Sequence, residues 1–227
     1  VRTRCMAFEV PVNEGSLATG VRYYRSDHDG AYREEFQRAR LVIVAGYAVE
    51  TPRLLLNSTS SRFPQGLANS SGLVGKFLMT QASHIAIGRY SEMIRQYKGP
   101  PAQVDSEEFY ETDPSRGFAR GFCIQTVAPL PISMAKMLAE ARGLYGMELR
   151  RAMADYNHYA CFGILGELLP DERNYVALAQ EKDRFGIPVA YVHYNLFEND
   201  KRLIEYALGK VIELHHAVGA EDIIVID

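Results

Sequence analysis

The organisation of this chain follows most directly from the stretch Leu41-Val-Ile-Val-Ala-Gly46-Tyr-Ala-Val-Glu-Thr-Pro52-Arg-Leu-Leu-Leu-Asn-Ser58. Its first four residues form a continuous apolar run, which is typical of a strand buried on both faces of a parallel sheet. The small pair Ala45-Gly46 ends that run, and Thr51-Pro52 then predicts a helix start with threonine as the N-cap. A strand, a glycine turn and a helix N-terminus together present backbone N–H groups that suit a nucleotide phosphate.

The residues before this stretch predict a β-meander. Alternating apolar and polar residues favour strands at 4–12, 18–25 and 32–39, and glycine-containing turns separate them. A meander that leads into a buried parallel strand and a helix is typical of the second half of a dinucleotide-binding domain. We therefore expect residues 1–80 to form part of a Rossmann-like α/β domain.

The residues after position 80 predict a second, α+β domain with an antiparallel sheet, because several strands are separated by long connections. Helical spacing of apolar residues predicts helix within 132–155 and again over 199–218. The expected strands lie at about 82–89, 118–127, 157–166, 174–180 and 188–195.

Composition excludes several classes of function. The 227 residues carry a net charge of −3, so no basic surface favours nucleic acid. No apolar run reaches the roughly 20 residues that a transmembrane helix needs. The three cysteines are far apart and predict no metal site, and no His, Cys, Asp or Glu grouping has metal-ligand spacing. The start at Val1, without a methionine, suggests a piece of a longer protein, and the compartment stays open between cytoplasm and periplasm.

Three blocks of sequence stand in a recognisable order. Residues 42–58 contain Glu-Thr-Pro-Arg-Leu-Leu-Leu, and residues 66–79 contain Asn-Ser-Ser-Gly-Leu-Val-Gly followed by Leu-Met. Residues 166–188 contain Gly-Glu-Leu-Leu-Pro-Asp-Glu-Arg-Asn and end in Gly-Ile-Pro. Together these blocks resemble the glucose–methanol–choline (GMC) oxidoreductase family, and most of all its bacterial branch of sugar and sugar-acid dehydrogenases.

The resemblance implies FAD as the cofactor and oxidation of an alcohol or sugar CH–OH group by hydride transfer to the flavin. It implies that residues 1–80 are the C-terminal part of the FAD-binding domain and that residues 81–227 are an incomplete substrate-binding domain. Within it, Ala7 meets the adenine ring through its main chain, and Ala45 and Gly46 let the backbone pass close to the dinucleotide. Small residues suit such close approach because no side chain protrudes.

Two parts of the family pattern have no counterpart here. The family's Gly-x-Gly-x-x-Gly turn for the pyrophosphate is absent, and its catalytic histidine, with a partner His or Asn, belongs beyond Asp227. We therefore expect no catalytic residue in this chain, and neither FAD retention nor turnover by the chain alone. The expected partners are a small alcohol or sugar substrate, the N- and C-terminal parts of the same enzyme, and an electron-acceptor subunit.

Hydrogen-bonding side chains are needed in a sugar pocket, and the strands of the second domain are where they would come from. Gln125, Tyr156 and His158 are the candidate substrate-binding residues, and for His158 a structural role in its strand is the alternative. The pair His215-His216 is expected in the last turn of the final helix, where a cation favours the helix dipole.

A different class of function stays open beside the enzyme. The chain could instead be a non-catalytic binding or structural module, or a split subunit, derived from such an enzyme. That alternative predicts stable folding without flavin and association with a second chain.

Overall fold

A computed structural model describes residues 1–226 of the chain, which form two compact units. The first unit contains residues 1–79 and 170–195, and the second contains residues 80–169 and those from 196 onward. The sequence placed residues 170–195 in the second domain. They belong to the first unit because their hairpin packs on the helix that follows Gly46.

Eleven strands and four α-helices are formed by the described residues. In chain order they are β1 (Cys5–Glu9), β2 (Gly20–Ser26), β3 (Tyr32–Arg38), α1 (Tyr47–Asn57), β4 (Gln81–Ala82), β5 (Ile85–Arg89), β6 (Asp105–Ser106), β7 (Phe122–Thr126), α2 (Pro131–Arg142), α3 (Gly146–Ala154), β8 (Tyr159–Glu167), β9 (Tyr175–Lys182), β10 (Pro188–His193), α4 (Glu198–Ala217) and β11 (Asp222–Ile226).

The first unit combines the meander β1-β2-β3, the helix α1 and the hairpin β9-β10, and every strand pair in it is antiparallel. The predicted meander is confirmed, with the strands a few residues shorter than expected. Stacked aromatic rings join the meander to the turn of the hairpin. The ring centroid of Tyr24 lies 4.6 Å from that of Phe8 in β1 and 5.4 Å from that of Phe185 in the hairpin turn. Ser58, after α1, accepts a hydrogen bond from the Val10 amide at 2.9 Å and so fixes β1 beside the helix.

The predicted parallel strand over Leu41–Val44 is not formed by the described residues. The segment belongs to no strand, and Leu41 and Ile43 are 75% and 81% exposed. A strand buried on both faces needs neighbours on both sides, and none of the described strands pairs with this segment. Val42 and Val44 point the other way and are half-buried, as the period-two alternation of an extended chain requires.

The start of α1 also differs from the prediction. The helix begins at Tyr47, its N-cap is Gly46, and Pro52 lies inside the helix rather than at its first position. The hydroxyl of Thr51 accepts a hydrogen bond from the Gly46 amide at 3.0 Å, so threonine closes the turn from within the helix. The first N–H groups of a helix have no partner within the helix, and the Thr51 hydroxyl satisfies one of them, that of Gly46.

The second unit is built on an antiparallel sheet in the order β11-β5-β8-β7-β6, with β4 beside β8. The expected α+β class is therefore found in this unit. Gly143, with φ of 63°, ends α2 and divides the single helical region predicted over 132–155 into two helices. The edge strand β11 was not predicted, although its run Asp-Ile-Ile-Val-Ile is rich in β-branched residues.

Helices cover both faces of this sheet. On one face Ile87, Cys161 and Ile224 pack against Met134 and Leu138 of α2. On the other face α4 presents the buried set Leu203, Ile204, Ala207, Val211 and His215. His215 is fully buried, so the expectation that both histidines act as cations at the helix end is wrong for His215; only His216 is exposed.

Candidate functional site

A cavity of about 490 Å³ lies in the first unit, between β1, the extended segment 42–46 and one face of α1. Its volume is within the range of small-molecule sites. Most of its wall is apolar. The lining residues are Met6, Ala7, Phe8, Val21, Val42, Ile43, Val44, Ala45, Gly46, Glu50, Arg53, Leu54, Asn57 and Ile187.

The three residues predicted to bind the cofactor, Ala7, Ala45 and Gly46, all line this cavity. Ala7 lies in β1 opposite Tyr23, next to an irregularity in the ladder before Glu9. At Gly46 an added Cβ would lie 3.1 Å from the Thr51 nitrogen and 3.3 Å from two atoms of Glu50. The turn therefore leaves almost no room for a side chain, and the main chain itself forms this part of the wall.

The polar part of the wall is organised by Arg53, whose side chain is buried although it is charged. Its Nε donates to the Pro188 carbonyl at 2.9 Å, and its Nη2 donates to the Asp183 carboxylate at 2.7 Å. Its Nη1 contacts both carboxylate oxygens of Glu50, at 3.2 and 3.4 Å. A buried guanidinium needs such partners, because an unpaired charge in the interior is costly.

Asp183 begins the turn between β9 and β10 and is fixed there by backbone amides. Its Oδ1 accepts hydrogen bonds from the amides of Phe185 at 2.8 Å and Ile187 at 3.1 Å. Burial raises the pKa of this carboxyl, but the hydrogen bonds from Arg53 and from the two amides outweigh it and leave the pKa below the ordinary value. Asp183 is therefore ionised at neutral pH and holds the guanidinium in place.

Sequence reasoning did not assign the cluster of Glu50, Arg53 and Asn57 on this wall. Glu50 lies in the first turn of α1, where a carboxylate favours the helix dipole, and that position alone does not point to a ligand site. The signal available was the arginine itself, which interrupts the apolar face of the helix just before Leu54-Leu55-Leu56. Its principal acceptor, Asp183, lies 130 residues away, and that distance hides the pair from any local pattern.

The candidate substrate residues lie in the second unit and are not in this cavity. Tyr156 and His158 belong to a 3-10 turn before β8, whereas the sequence predicted His158 within the strand. The Tyr156 hydroxyl donates to the Pro129 carbonyl at 2.8 Å, and the His158 Nδ1 lies 3.2 Å from the Tyr90 carbonyl. These contacts hold the turn together. Gln125 lies in β7 and is half-buried, with Gly163 opposite it in β8.

Three curated proteins are similar to this chain. The chain is 36% identical over 228 residues to 2-methyl-1,2-propanediol dehydrogenase of Mycolicibacterium austroafricanum. This alignment covers 97% of the chain and 40% of that protein. It is 29% identical to the fructose dehydrogenase large subunit of Gluconobacter japonicus, over 82% of the chain and 34% of that protein. It is 25% identical to paromamine 6'-oxidase of Streptomyces fradiae, over 82% of the chain and 32% of that protein.

These relatives are all named as dehydrogenases or oxidases, so the chain is similar to oxidoreductases. The chain spans between 32% and 40% of the length of each. No model of a known protein family matches it. Within residues 1–226, no helix combines the length and the apolar character that a bilayer crossing requires.

Proposed function

We propose that this chain is the central part of an FAD-dependent oxidoreductase of the GMC family, which oxidises an alcohol or sugar CH–OH group. The observation that carries the proposal is the convergence of Ala7, Ala45 and Gly46 on one cavity. The family resemblance assigns those residues to the FAD site, although they lie in separate parts of the sequence. The names of the relatives support the class of reaction.

The residues present fit one part of a dinucleotide. The small residues allow the backbone to approach the ligand closely, and the apolar walls exclude water from it. FAD, when bound, supplies the hydride acceptor. In this proposal residues 1–79 with the hairpin β9-β10 form one wall of the FAD site, and the antiparallel sheet of the second unit carries the substrate-binding residues, Gln125 among them.

The proposal is tested with the full-length protein and with residues 1–227 alone. We expect the full-length protein to show the absorbance bands of bound flavin and to reduce an artificial electron acceptor with an alcohol or sugar. We expect residues 1–227 alone to show neither. A full-length protein that folds and binds no flavin would refute the proposal.

The fructose dehydrogenase relative is described as a large subunit. We include in the proposal a second subunit that receives electrons from the flavin. Co-purification of the full-length protein with a redox subunit tests this part, and a purified single chain that passes electrons to its physiological acceptor without a second subunit would argue against it.

A further inference from the structure

The first unit contains a second cavity, of about 550 Å³, between the start of β1 and the turn that joins β2 to β3. Nine residues line it, and all but Ala31 have polar side chains. Three of the nine are arginines, namely Arg4, Arg25 and Arg33. None of the nine lines the cavity between β1 and α1 described above, so the two cavities are separate.

Two of these arginines face each other across the meander. Arg25 of β2 and Arg33 of β3 are directly opposite in the antiparallel ladder, a position in which like charges destabilise a sheet. They share one acceptor, since Oε1 of Glu35 lies 2.9 Å from the Arg33 Nε and 3.7 Å from the Arg25 Nη1. The other oxygen of Glu35 accepts a hydrogen bond from the Tyr23 hydroxyl at 2.7 Å. One carboxylate therefore neutralises the two guanidinium groups only in part.

Arg4 brings a third guanidinium to the wall, and no acid within residues 1–226 forms an ion pair with it. Its backbone is left-handed, with φ of 57°, a conformation that is uncommon for residues other than glycine. The Arg4 carbonyl accepts a hydrogen bond from the Ser26 amide at 2.9 Å, which holds the start of β1 against the end of β2. Because arginine has no advantage in such a backbone, the local conformation does not account for an arginine at this position.

A fourth guanidinium approaches from the turn of the hairpin β9-β10. The Arg184 Nη2 donates to the Ser26 hydroxyl oxygen at 3.4 Å, and the Tyr32 hydroxyl donates to the Arg184 carbonyl at 3.1 Å. Both Ser26 and Tyr32 line the cavity. Among the described residues no acid pairs with Arg184 either. The hairpin turn therefore adds positive charge beside the wall.

The acids near the cavity are too few to neutralise these four arginines. Among the described lining residues only Asp27 is acidic, and one of its oxygens accepts a hydrogen bond from the Asp29 amide at 3.1 Å. Asp27 and Glu35 together therefore leave an excess of two positive charges around the cavity, in a chain whose net charge is −3. A cleft that is lined by charge of one sign attracts small ions of the other sign.

The arginines have nitrogens available for an anion. Arg33 contacts Glu35 through Nε, and its two terminal nitrogens bond to no other described residue. The side chains of Arg25 and Arg33 are 54% and 72% exposed. The planar fork of an arginine matches two oxygens of a phosphate, and a charge-assisted pair of this kind is strong. The hydroxyls of Thr3 and Ser26 on the same wall can donate further hydrogen bonds.

We propose that this cavity binds a phosphate group, either as free phosphate or as the phosphate of a small organic molecule. Arg4, Arg25 and Arg33 bind its oxygens, and the bound phosphate relieves the repulsion between the two arginines that face each other across β2 and β3. The volume of the cavity is within the range of small-molecule sites and leaves room for an organic group beside the phosphate. The site lies outside the proposed oxidoreductase chemistry, and the inference does not depend on flavin binding.

The first experiment titrates inorganic phosphate and phenyl phosphate calorimetrically into the full-length protein, with FAD and without it. Potassium chloride keeps the ionic strength constant, because salt screens contacts between exposed charges. We expect one phosphate to bind per chain, and Arg4→Gln and Arg33→Gln each to weaken binding about tenfold, since each removes a charge-assisted hydrogen bond. Arg38→Gln is the matched control and should bind as the wild type, because Arg38 is an exposed arginine at the other end of β3 and does not line the cavity.

Thermal unfolding gives a second readout. Phosphate should raise the melting temperature of the wild type and of Arg38→Gln, because a ligand that binds only the folded state stabilises it. The double variant Arg4→Gln with Arg33→Gln should gain much less at the same phosphate concentration. All the substituted side chains are exposed, so the variants should fold as the wild type does, and melting curves without phosphate verify this.

Several results would overturn the inference. Absence of phosphate binding by the wild type, or unchanged affinity in Arg4→Gln and Arg33→Gln, would do so. An equal loss of affinity in Arg38→Gln would show only a general effect of net charge. Competition between FAD and phosphate would place the phosphate in the dinucleotide site instead. Phosphate binding by a full-length protein that takes up no flavin would refute the proposed function and leave this inference intact.

The same titrations distinguish the sources of the phosphate. Tighter binding of phenyl phosphate than of inorganic phosphate would identify an organic phosphate as the ligand, whereas equal or weaker binding would identify free phosphate, and both results support the site. A polyglutamate peptide tests the remaining alternative, an acidic segment of a partner protein. Binding of that peptide without binding of either phosphate would overturn the inference in favour of a protein partner.

Discussion

The imidazole Nδ1 of His215 lies 2.7 Å from the hydroxyl oxygen of Tyr90, and both side chains are buried in the second unit. The Nε2 of the same ring lies 3.1 Å from the Ala86 carbonyl, to which it donates. The neutral ring is therefore satisfied on both sides, with Tyr90 as the donor to Nδ1. Protonation at Nδ1 would replace this acceptor with a second donor.

Stability should depend on pH through His215. Burial lowers the pKa of this imidazole below its usual 6.5, the hydrogen bond to Ala86 opposes the effect, and the nearby His216 adds to it. Since the folded state favours the neutral ring, its contribution to the free energy of unfolding is complete above pH 6.5. That contribution is lost as the pH falls below 6.5. Urea unfolding measured between pH 8 and pH 5 checks this dependence.

Two variants isolate the contribution of His215 from other acid effects. His215→Gln should show a smaller fall in unfolding free energy between pH 8 and pH 5 than the wild type. His28→Gln, which removes an exposed histidine, should behave as the wild type. Equal falls in all three proteins would show that His215 does not titrate as described.

The glycine opposite His215 should not tolerate a side chain. A Cβ at Gly88 would lie 2.4 Å from the His215 Nδ1 and 2.8 Å from its Cε1. We expect Gly88→Ala to lower the unfolding free energy by about 2 kcal/mol, the usual cost of overpacking a core. Gly209→Ala is the control: Gly209 lies in α4, an added Cβ there would meet no atom within 4 Å outside the helix's own backbone, and alanine should raise stability by up to about 1 kcal/mol. Chemical denaturation of both variants decides the comparison.

Two glycines of the second sequence block allow a similar test in the first unit. Both have positive φ, 71° at Gly72 and 86° at Gly75, but only at Gly75 would a Cβ meet the Val176 carbonyl oxygen, at 2.1 Å. We expect Gly72→Ala to cost about 1 kcal/mol, from backbone strain alone. Gly75→Ala should cost at least about 3 kcal/mol, because strain and steric overlap combine. Similar melting temperatures for the two variants would contradict this account.

Removal of the buried guanidinium should destabilise the first unit strongly. Arg53→Met leaves the carboxylate of Asp183 without its cation, and breaking a buried ion pair in this way costs about 3 kcal/mol. Arg202→Met is the surface comparison, since its pair with Glu198 joins two exposed side chains in α4 and is worth less than about 1 kcal/mol. Thermal unfolding of the two variants should therefore differ by several degrees.

Local sequence patterns predicted which residues form strands and helices far better than they predicted which elements pack against one another. The period of two residues gave the meander, and spacings of three and four gave α4, whose observed bounds Glu198–Ala217 lie within a residue of the expected ones. The run Leu41–Val44 was misread as a buried strand because burial depends on neighbouring strands, and its own residues do not contain that information. The return of residues 170–195 to the first unit depends on contacts across the chain, which no local pattern records.

In the candidate site, too, local patterns revealed some residues and missed those that depend on contacts across the chain. Ala45 and Gly46 were found because a break from β-branched to small residues is visible in the sequence, and Ala7 came only from the family resemblance. Glu50 and Arg53 were not assigned to the site, because Arg53 is held there by a hydrogen bond to Asp183, which lies 130 residues further along the chain. Tyr156 and His158 were chosen as polar residues near a strand. The structure places them in a turn that their hydrogen bonds hold together, and their role in substrate binding stays a prediction.

Because the hairpin β9-β10 belongs to the first unit, that unit is completed only after residues 80–169 have been synthesised. Arg53 leaves the ribosome 130 residues before Asp183, and at about 5–20 residues per second that interval is on the order of ten seconds. During this time the nascent first unit lacks both the hairpin that packs on α1 and two of the three acceptors of its buried guanidinium, the Asp183 carboxylate and the Pro188 carbonyl. Synthesis of the whole second-unit segment 80–169 precedes that completion. Until then the face of α1 that packs on β9 and β10 is exposed, and we expect chaperones to engage the nascent chain there.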